Sequence, residues 1–110
     1  HPEQDWQDTI LQWAAMFHWK AFFIPDWLYR LAMASLKAQR RNDRTWPDKG
    51  FPDLVLCKPP HLIFVECKSG RNQPTAEQLE WHKILRSSGQ TVKVWRETDL
   101  DEVIATLGGR

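Results

Sequence analysis

Apolar residues recur at helical spacing near the start of the chain. Trp6, Ile10, Trp13, Ala14 and Phe17 fall three or four positions apart, which predicts an amphipathic helix from Glu3 to about Phe17. Pro2 and the acids that follow it suit a helix N-terminus. The run Ala21-Phe22-Phe23-Ile24, closed by Pro25, predicts a short strand. Asp26 is placed to cap a second helix reaching about Gln39, with Leu28, Leu31, Ala32, Ser35 and Leu36 on one face. From Arg40 to Lys49 the pattern is polar and is read as a loop. Leu54-Val55-Leu56 and Leu62-Ile63-Phe64-Val65 are two near-continuous apolar runs, the mark of buried strands. A third helix starts at Thr75 and stops at Gly89, with Trp81, Ile84 and Leu85 expected on its inner face. Thr91 to Arg96 predicts a strand with Val92 and Val94 facing one way. Thr98 opens a last helix carrying Leu100, Val103, Ile104 and Leu107, and Gly108-Gly109 ends it. The expected class is α/β: a small mixed sheet flanked by helices, in a single domain over 1–110.

Composition narrows the class without naming a function. The chain is 42% apolar and 26% charged, which fits a folded globular domain rather than a disordered or membrane-embedded one. No apolar run approaches the roughly 18 residues that a membrane span needs, so no membrane is expected as a partner. The two cysteines, Cys57 and Cys67, are too few for a disulfide framework, and no secretory leader is seen. A reducing cytoplasm is the expected compartment. The seven Trp call for burial or a partner surface; most are expected in the core and some at an interface between copies. The net charge of +1 does not announce a nucleic-acid binder. Its distribution says more: Arg40, Arg41, Arg44 and Lys49 lie in one stretch, with Arg71 further on, while the acids gather at the two ends.

The informative residues are Gly50-Phe51-Pro52-Asp53 and Val65-Glu66-Cys67-Lys68. Glu66 interrupts an apolar strand, where a carboxylate is costly unless it is paired or holds a cation. Lys68 follows two residues later, so both side chains leave the same face of the strand. Cys67 points to the opposite, core-facing side and is no thiol nucleophile. If the two apolar runs form an antiparallel hairpin, the point midway between positions 53 and 66 falls between Pro59 and Pro60, in the only turn-like stretch available. Asp53 then sits opposite Glu66, about 5 Å away at Cα. Proline does not adopt the positive φ of a two-residue hairpin turn, so a wider loop, Cys57 to His61, is expected about the same centre. That register pairs Cys57 near Leu62 and argues against a disulfide to Cys67.

Two opposed carboxylates repel when both ionise, and a divalent cation removes the conflict. Oxygen ligands with open positions suit Mg²⁺, with Mn²⁺ as its substitute, better than structural zinc. Thr75-Ala76-Glu77-Gln78 is a capping box, and the Gln78 amide is also within plausible reach of water or phosphate. Glu3 is either a helix N-terminal acid or a further contributor to the metal shell. His18, His61 and His82 are not spaced as a zinc set, and surface or partly buried roles are expected for them.

These residues resemble the VRR-NUC (virus-type replication-repair nuclease) family of the PD-(D/E)xK nuclease superfamily. The resemblance rests on Gly50-Phe51-Pro52-Asp53-Leu54, on Glu66-Cys67-Lys68-Ser69, on Thr75 with Gln78, and on Gly89 before Val92, Val94 and Trp95. Glu3 and Gln7 resemble the Glu-x-x-x-Gln of the family's first helix. The resemblance implies a restriction-endonuclease-like core and a metal-dependent phosphodiesterase acting on DNA in replication, recombination or repair. It also implies similarity to Holliday junction resolvases, which act as homodimers, and to stand-alone phage proteins, hence a bacterial or phage-infected cytoplasm. On this reading Asp53, Glu66 and the main-chain carbonyl of Cys67 hold Mg²⁺, with Glu3 contributing through water. Lys68 and Gln78 orient water or phosphate. Arg40, Arg41, Arg44, Lys49 and Arg71 contact the DNA backbone, so branched DNA is recognised by shape rather than by sequence. The rival readings are a catalytically silent DNA-binding module of the same fold and a structural protein in which the polar set is an ion-pair network.

Overall fold

The computed structural model describes residues 1–38 and 50–109. The expected loop from Arg40 to Lys49, with Arg40, Arg41, Arg44 and Lys49 themselves, lies outside the described residues. The elements in order are α1 (Pro2–Met16), β1 (Lys20–Phe22), α2 (Asp26–Ala38), β2 (Leu54–Lys58), β3 (His61–Cys67), α3 (Ala76–Ser87), β4 (Thr91–Trp95), a single 3₁₀ turn (Glu97–Asp99) and α4 (Leu100–Leu107). The four strands form one sheet in the order β1-β2-β3-β4. The first two pairings are antiparallel and the third is parallel. The sheet is therefore mixed, as the alternation of strand and helix signals leads one to expect.

One face of the sheet carries the core. Leu54 and Leu56 from β2 and Ile63, Val65 and Cys67 from β3 alternate inward. They join Trp95 and pack with Trp6, Ile10 and Ala14 of α1 and Val103 and Leu107 of α4. Two buried indoles also tie distant segments together. Trp6 Nε1 donates to the Trp95 carbonyl at 2.9 Å, and Trp19 Nε1 donates to the Leu107 carbonyl at 2.8 Å. Each bond satisfies the polar edge of a large side chain that would otherwise lose its water without compensation. Trp27, by contrast, is 67% exposed, so not every Trp goes to the core.

The hairpin register is the expected one. Leu54 faces Val65, Leu56 faces Ile63 and Cys57 faces Leu62. Both cysteines are free, Cys57 exposed and Cys67 buried. The turn is tighter than expected: pairing continues to Lys58 and His61, which leaves only Pro59 and Pro60 between the strands. The Pro59–Pro60 peptide bond is cis, a turn class that accepts proline without a positive φ. The expected inner face of α3 also needs correction. Its buried residue is His82, while Ile84 is 47% exposed. Similarly, β1 is exposed along its length, because it is the edge strand and the apolar run around it faces a cleft rather than the core.

Gly50 locks the segment before β2 onto α3. Its φ is 90°, and a Cβ there would lie 2.5 Å from the carbonyl carbon of Glu77 and 2.7 Å from the amide nitrogen of Gln78. Only glycine permits both the dihedral and the approach. Gly70 also has a positive φ, of 59°, but a Cβ there meets nothing within 4 Å. Gly50→Ala is expected to destabilise the fold by about 1–3 kcal/mol, and Gly70→Ala by less. Urea unfolding of the two variants beside wild type measures this; equal losses would mean that the contact with α3 contributes nothing.

Candidate active site

The site forms where three segments meet on the sheet face opposite the core. Continuing the hairpin register by one residue brings Asp53 opposite Glu66. Asp53 Oδ2 accepts the main-chain N–H of Cys67 at 2.8 Å, which fixes the carboxylate at the end of β3. Glu66 and Asp53 side chains lie within hydrogen-bond reach of each other. Glu66 is wholly buried and Lys68 is 7% exposed. Lys68 leaves the same face of the chain two residues on, and its main-chain N–H continues the ladder to the Trp95 carbonyl at 3.1 Å. The Cys67 side chain sits in the core cluster, and burial pushes its thiol well above the ordinary range. Its side chain is thus inert packing, and only its main chain belongs to the site.

Helix α3 supplies the other wall. The capping box is complete: Thr75 Oγ1 accepts the Gln78 N–H at 3.2 Å, and Gln78 Oε1 accepts the Thr75 N–H at 2.9 Å. With its oxygen held by the cap, the Gln78 amide turns its nitrogen to Glu66, donating to Oε2 at 3.1 Å. One turn further along, His82 Nε2 lies 3.4 Å from Glu66 Oε1. His82 is 1% exposed, which corrects the expectation of a surface or partly buried role. Residues four apart share a helix face, so the spacing from Gln78 to His82 is the signal that would have found it.

The electrostatics follow from burial. Loss of water, then the charge of Asp53 and a hydrogen bond to it, push the Glu66 carboxyl up to about 9 despite the opposing charge of Lys68. Burial, with Arg86 and Lys68 nearby, pulls His82 below its usual value. The contact between His82 and Glu66 is therefore a hydrogen bond between neutral groups rather than an ion pair. Glu3, half-buried on α1, is raised first by burial. It feels the charges of Lys68, Asp53 and Glu97, so the first helix does bring its acid to the site. Arg71 is exposed on the loop between β3 and α3.

Burial keeps a proton on Glu66 up to about pH 9, which removes its like-charge conflict with Asp53. A cation would replace that proton. Among the described residues no three His, Cys, Asp or Glu side chains form a ready metal cage. Two carboxylates and a neighbouring carbonyl suit an ion that keeps much of its water, as Mg²⁺ does. The donor set fits such an ion and does not fit structural zinc.

A cleft of about 1020 Å³ opens beside the site. Glu3, Asp53 and Gln78 line it together with Phe22, Trp27 and Phe51. Phe51 is held by edge-on contacts with Phe64 and Trp81, at 5.9 and 5.0 Å between ring centres. Phe22 and Trp27 remain 64% and 67% exposed.

No family model matches the chain. A 60-residue segment, 54% of this chain, is 35% identical to "Putative nuclease p44" of Acyrthosiphon pisum secondary endosymbiont phage 1, and the match spans 64% of that protein. A solved structure described as a VRR_NUC domain protein superposes with a TM-score of 0.63, covering 97% of this chain and 85% of the other at 20% identity. The chain therefore has the fold of VRR_NUC domains, the one that its motifs resemble.

The Glu66 shift makes stability depend on pH in a defined direction. Its carboxyl ionises near 4.5 when unfolded and about 9 when folded. Between these values the unfolded chain binds fewer protons, so stability falls as pH rises. The contribution is complete below 4.5 and is lost as pH passes through about 9. Urea unfolding in EDTA at several pH values is expected to show Glu66→Gln gaining on wild type as pH rises, by at most about 1.4 kcal/mol per pH unit. A constant difference between the two proteins would mean that Glu66 ionises normally.

Proposed function

We propose that the chain is a VRR-NUC-type, divalent-metal-dependent nuclease that hydrolyses phosphodiester bonds in DNA. The observation that carries this reading is Glu66, a fully buried carboxyl held against a second carboxylate with Lys68 on the same face. That combination is costly as structure alone and becomes useful when a cation joins it. The phage nuclease relative and the VRR_NUC neighbour support the same assignment.

Asp53, Glu66 and the Cys67 carbonyl would hold Mg²⁺ or Mn²⁺, with Glu3 assisting through water. When bound, the ion supplies charge that polarises the scissile phosphate and acidifies water. Lys68 orients the attacking water and offsets the charge that develops on phosphate. Gln78 commits its oxygen to the cap and one N–H to Glu66, which leaves its second N–H for water or phosphate. Arg71, with Arg40, Arg41, Arg44 and Lys49, would contact the DNA backbone.

The substrate we infer is branched DNA, a junction or a flap. The cleft beside Asp53 presents Phe22 and Trp27 with open aromatic faces, a surface on which unpaired bases stack with little regard to sequence. Resolving a four-way junction takes two cuts, so the working species on that substrate would be a homodimer. No helix among the described residues is long and apolar enough to cross a membrane.

Labelled four-way junction, flap, single-stranded and linear duplex DNA, each offered with Mg²⁺, Mn²⁺ or EDTA, test the assignment. Cutting is expected with either metal and not in EDTA, and Glu66→Ala and Lys68→Met should each lose about 100-fold or more. Wild type that binds DNA but cuts nothing would favour the silent binding module, and a protein without DNA affinity would favour the structural network. Light scattering on the active species should give the mass of two chains. Trp27→Ala is expected to weaken cutting of flap and junction substrates by about tenfold, corresponding to about 1.4 kcal/mol of lost stacking, while leaving duplex binding unchanged. Equal loss on every substrate would count against base stacking in the cleft.

A further inference from the structure

His82 sits behind the proposed metal ligand and has no place in the mechanism just described. Both oxygens of Glu66 are engaged by one helix: Gln78 donates to Oε2 at 3.1 Å, and His82 meets Oε1 at 3.4 Å. The two residues lie four apart on α3, one helical turn. Gln78 cannot turn away without losing its bond to the Thr75 N–H, and α3 itself rests against Gly50 at its first turn. The carboxylate therefore lies against a rigid two-point support. Rotation of its plane would break one of the two contacts.

The ring nitrogens of His82 are not equivalent. Nε2 faces Glu66, whereas Nδ1 is buried with no partner among the described residues. A neutral imidazole carries one N–H. If it sat on Nδ1, a donor would be buried unsatisfied. If it sits on Nε2, the donor reaches Glu66 and only an acceptor lone pair is left alone. Orphaned buried donors are the rarer of the two. A carboxylate that binds a cation can only accept hydrogen bonds, which requires the same tautomer.

We propose that His82 is a positioning residue: in the Nε2–H tautomer it donates to Glu66 Oε1 and, with Gln78, fixes the plane in which that carboxylate meets the cation. This rests on the reading of Glu66 as a metal ligand. Partners that orient a metal ligand from behind commonly change affinity by about 10–100-fold when removed.

The test uses the whole chain without DNA. Mn²⁺ affinity is measured by calorimetry for wild type, His82→Leu, His82→Gln and His82→Asn, and urea unfolding reports the stability of each. The amide nitrogen of Gln approximates Nε2, whereas that of Asn approximates Nδ1. His82→Leu and His82→Asn should weaken Mn²⁺ binding about 10–100-fold, and His82→Gln should stay within about threefold of wild type. Should the Leu variant fail to fold, the contrast between Gln and Asn still decides. Long-range ¹H–¹⁵N spectra of wild type should show the proton on Nε2. Mn²⁺ binding by His82→Leu equal to wild type, Asn matching Gln, or a proton on Nδ1 would each overturn the proposal. Wild type with no Mn²⁺ affinity would instead overturn the metal reading of Glu66, a distinct failure.

Discussion

Everything at the candidate site follows from one carboxyl without water. Glu66 lies on the face of β3 opposite its core neighbours Val65 and Cys67, yet is as deeply buried as they are. Its surroundings compensate. The Asp53 loop is pinned by the Cys67 N–H, α3 offers an amide and an imidazole, and Lys68 lies on the same face. A proton satisfies the arrangement up to about pH 9, and a cation would satisfy it by displacing that proton. Proton and cation thus compete for the same place, which couples metal affinity to pH.

The sheet provides the geometry that the carboxyl requires. An antiparallel hairpin sets Asp53 across from Glu66, and a parallel neighbour, β4, closes the other side of β3. The core beneath, with Trp6 and Trp19 bonded to distant carbonyls, holds β3 in place through α1 and α4. The cleft lies on the other side, against the edge strand β1 and helix α2. A rigid core lies on one face and an open aromatic cleft near the other.

Much of this was legible in the order of residues. The hairpin centre could be located because prolines are rare punctuation and the two apolar runs are symmetric about them. The capping box could be read because Thr-x-x-Gln serves a known geometric need. The tight turn at Pro59-Pro60 is not legible in the same way, because the geometry of a cis peptide leaves no distinct mark in the sequence. His82 is hard to read for another reason: histidine spacing speaks only to shared ligation, whereas the place of this ring depends on what the helix faces. Nor does hydrophobicity reveal whether an apolar run such as Phe22-Phe23-Ile24 is covered. It shows only that water is a poor neighbour.

Gln78 carries a constraint of a different kind. A capping box accepts glutamate as readily as glutamine, and for the helix alone the two would be interchangeable. Here the same side chain must also donate to Glu66. Glutamate would keep the cap and turn a donor into a third carboxyl group facing one already short of water. The choice between two amino acids that differ by one atom type is thus made outside the helix that contains them. Substitution patterns at this position would report on the chemistry of the site, even though its visible task is to begin a helix.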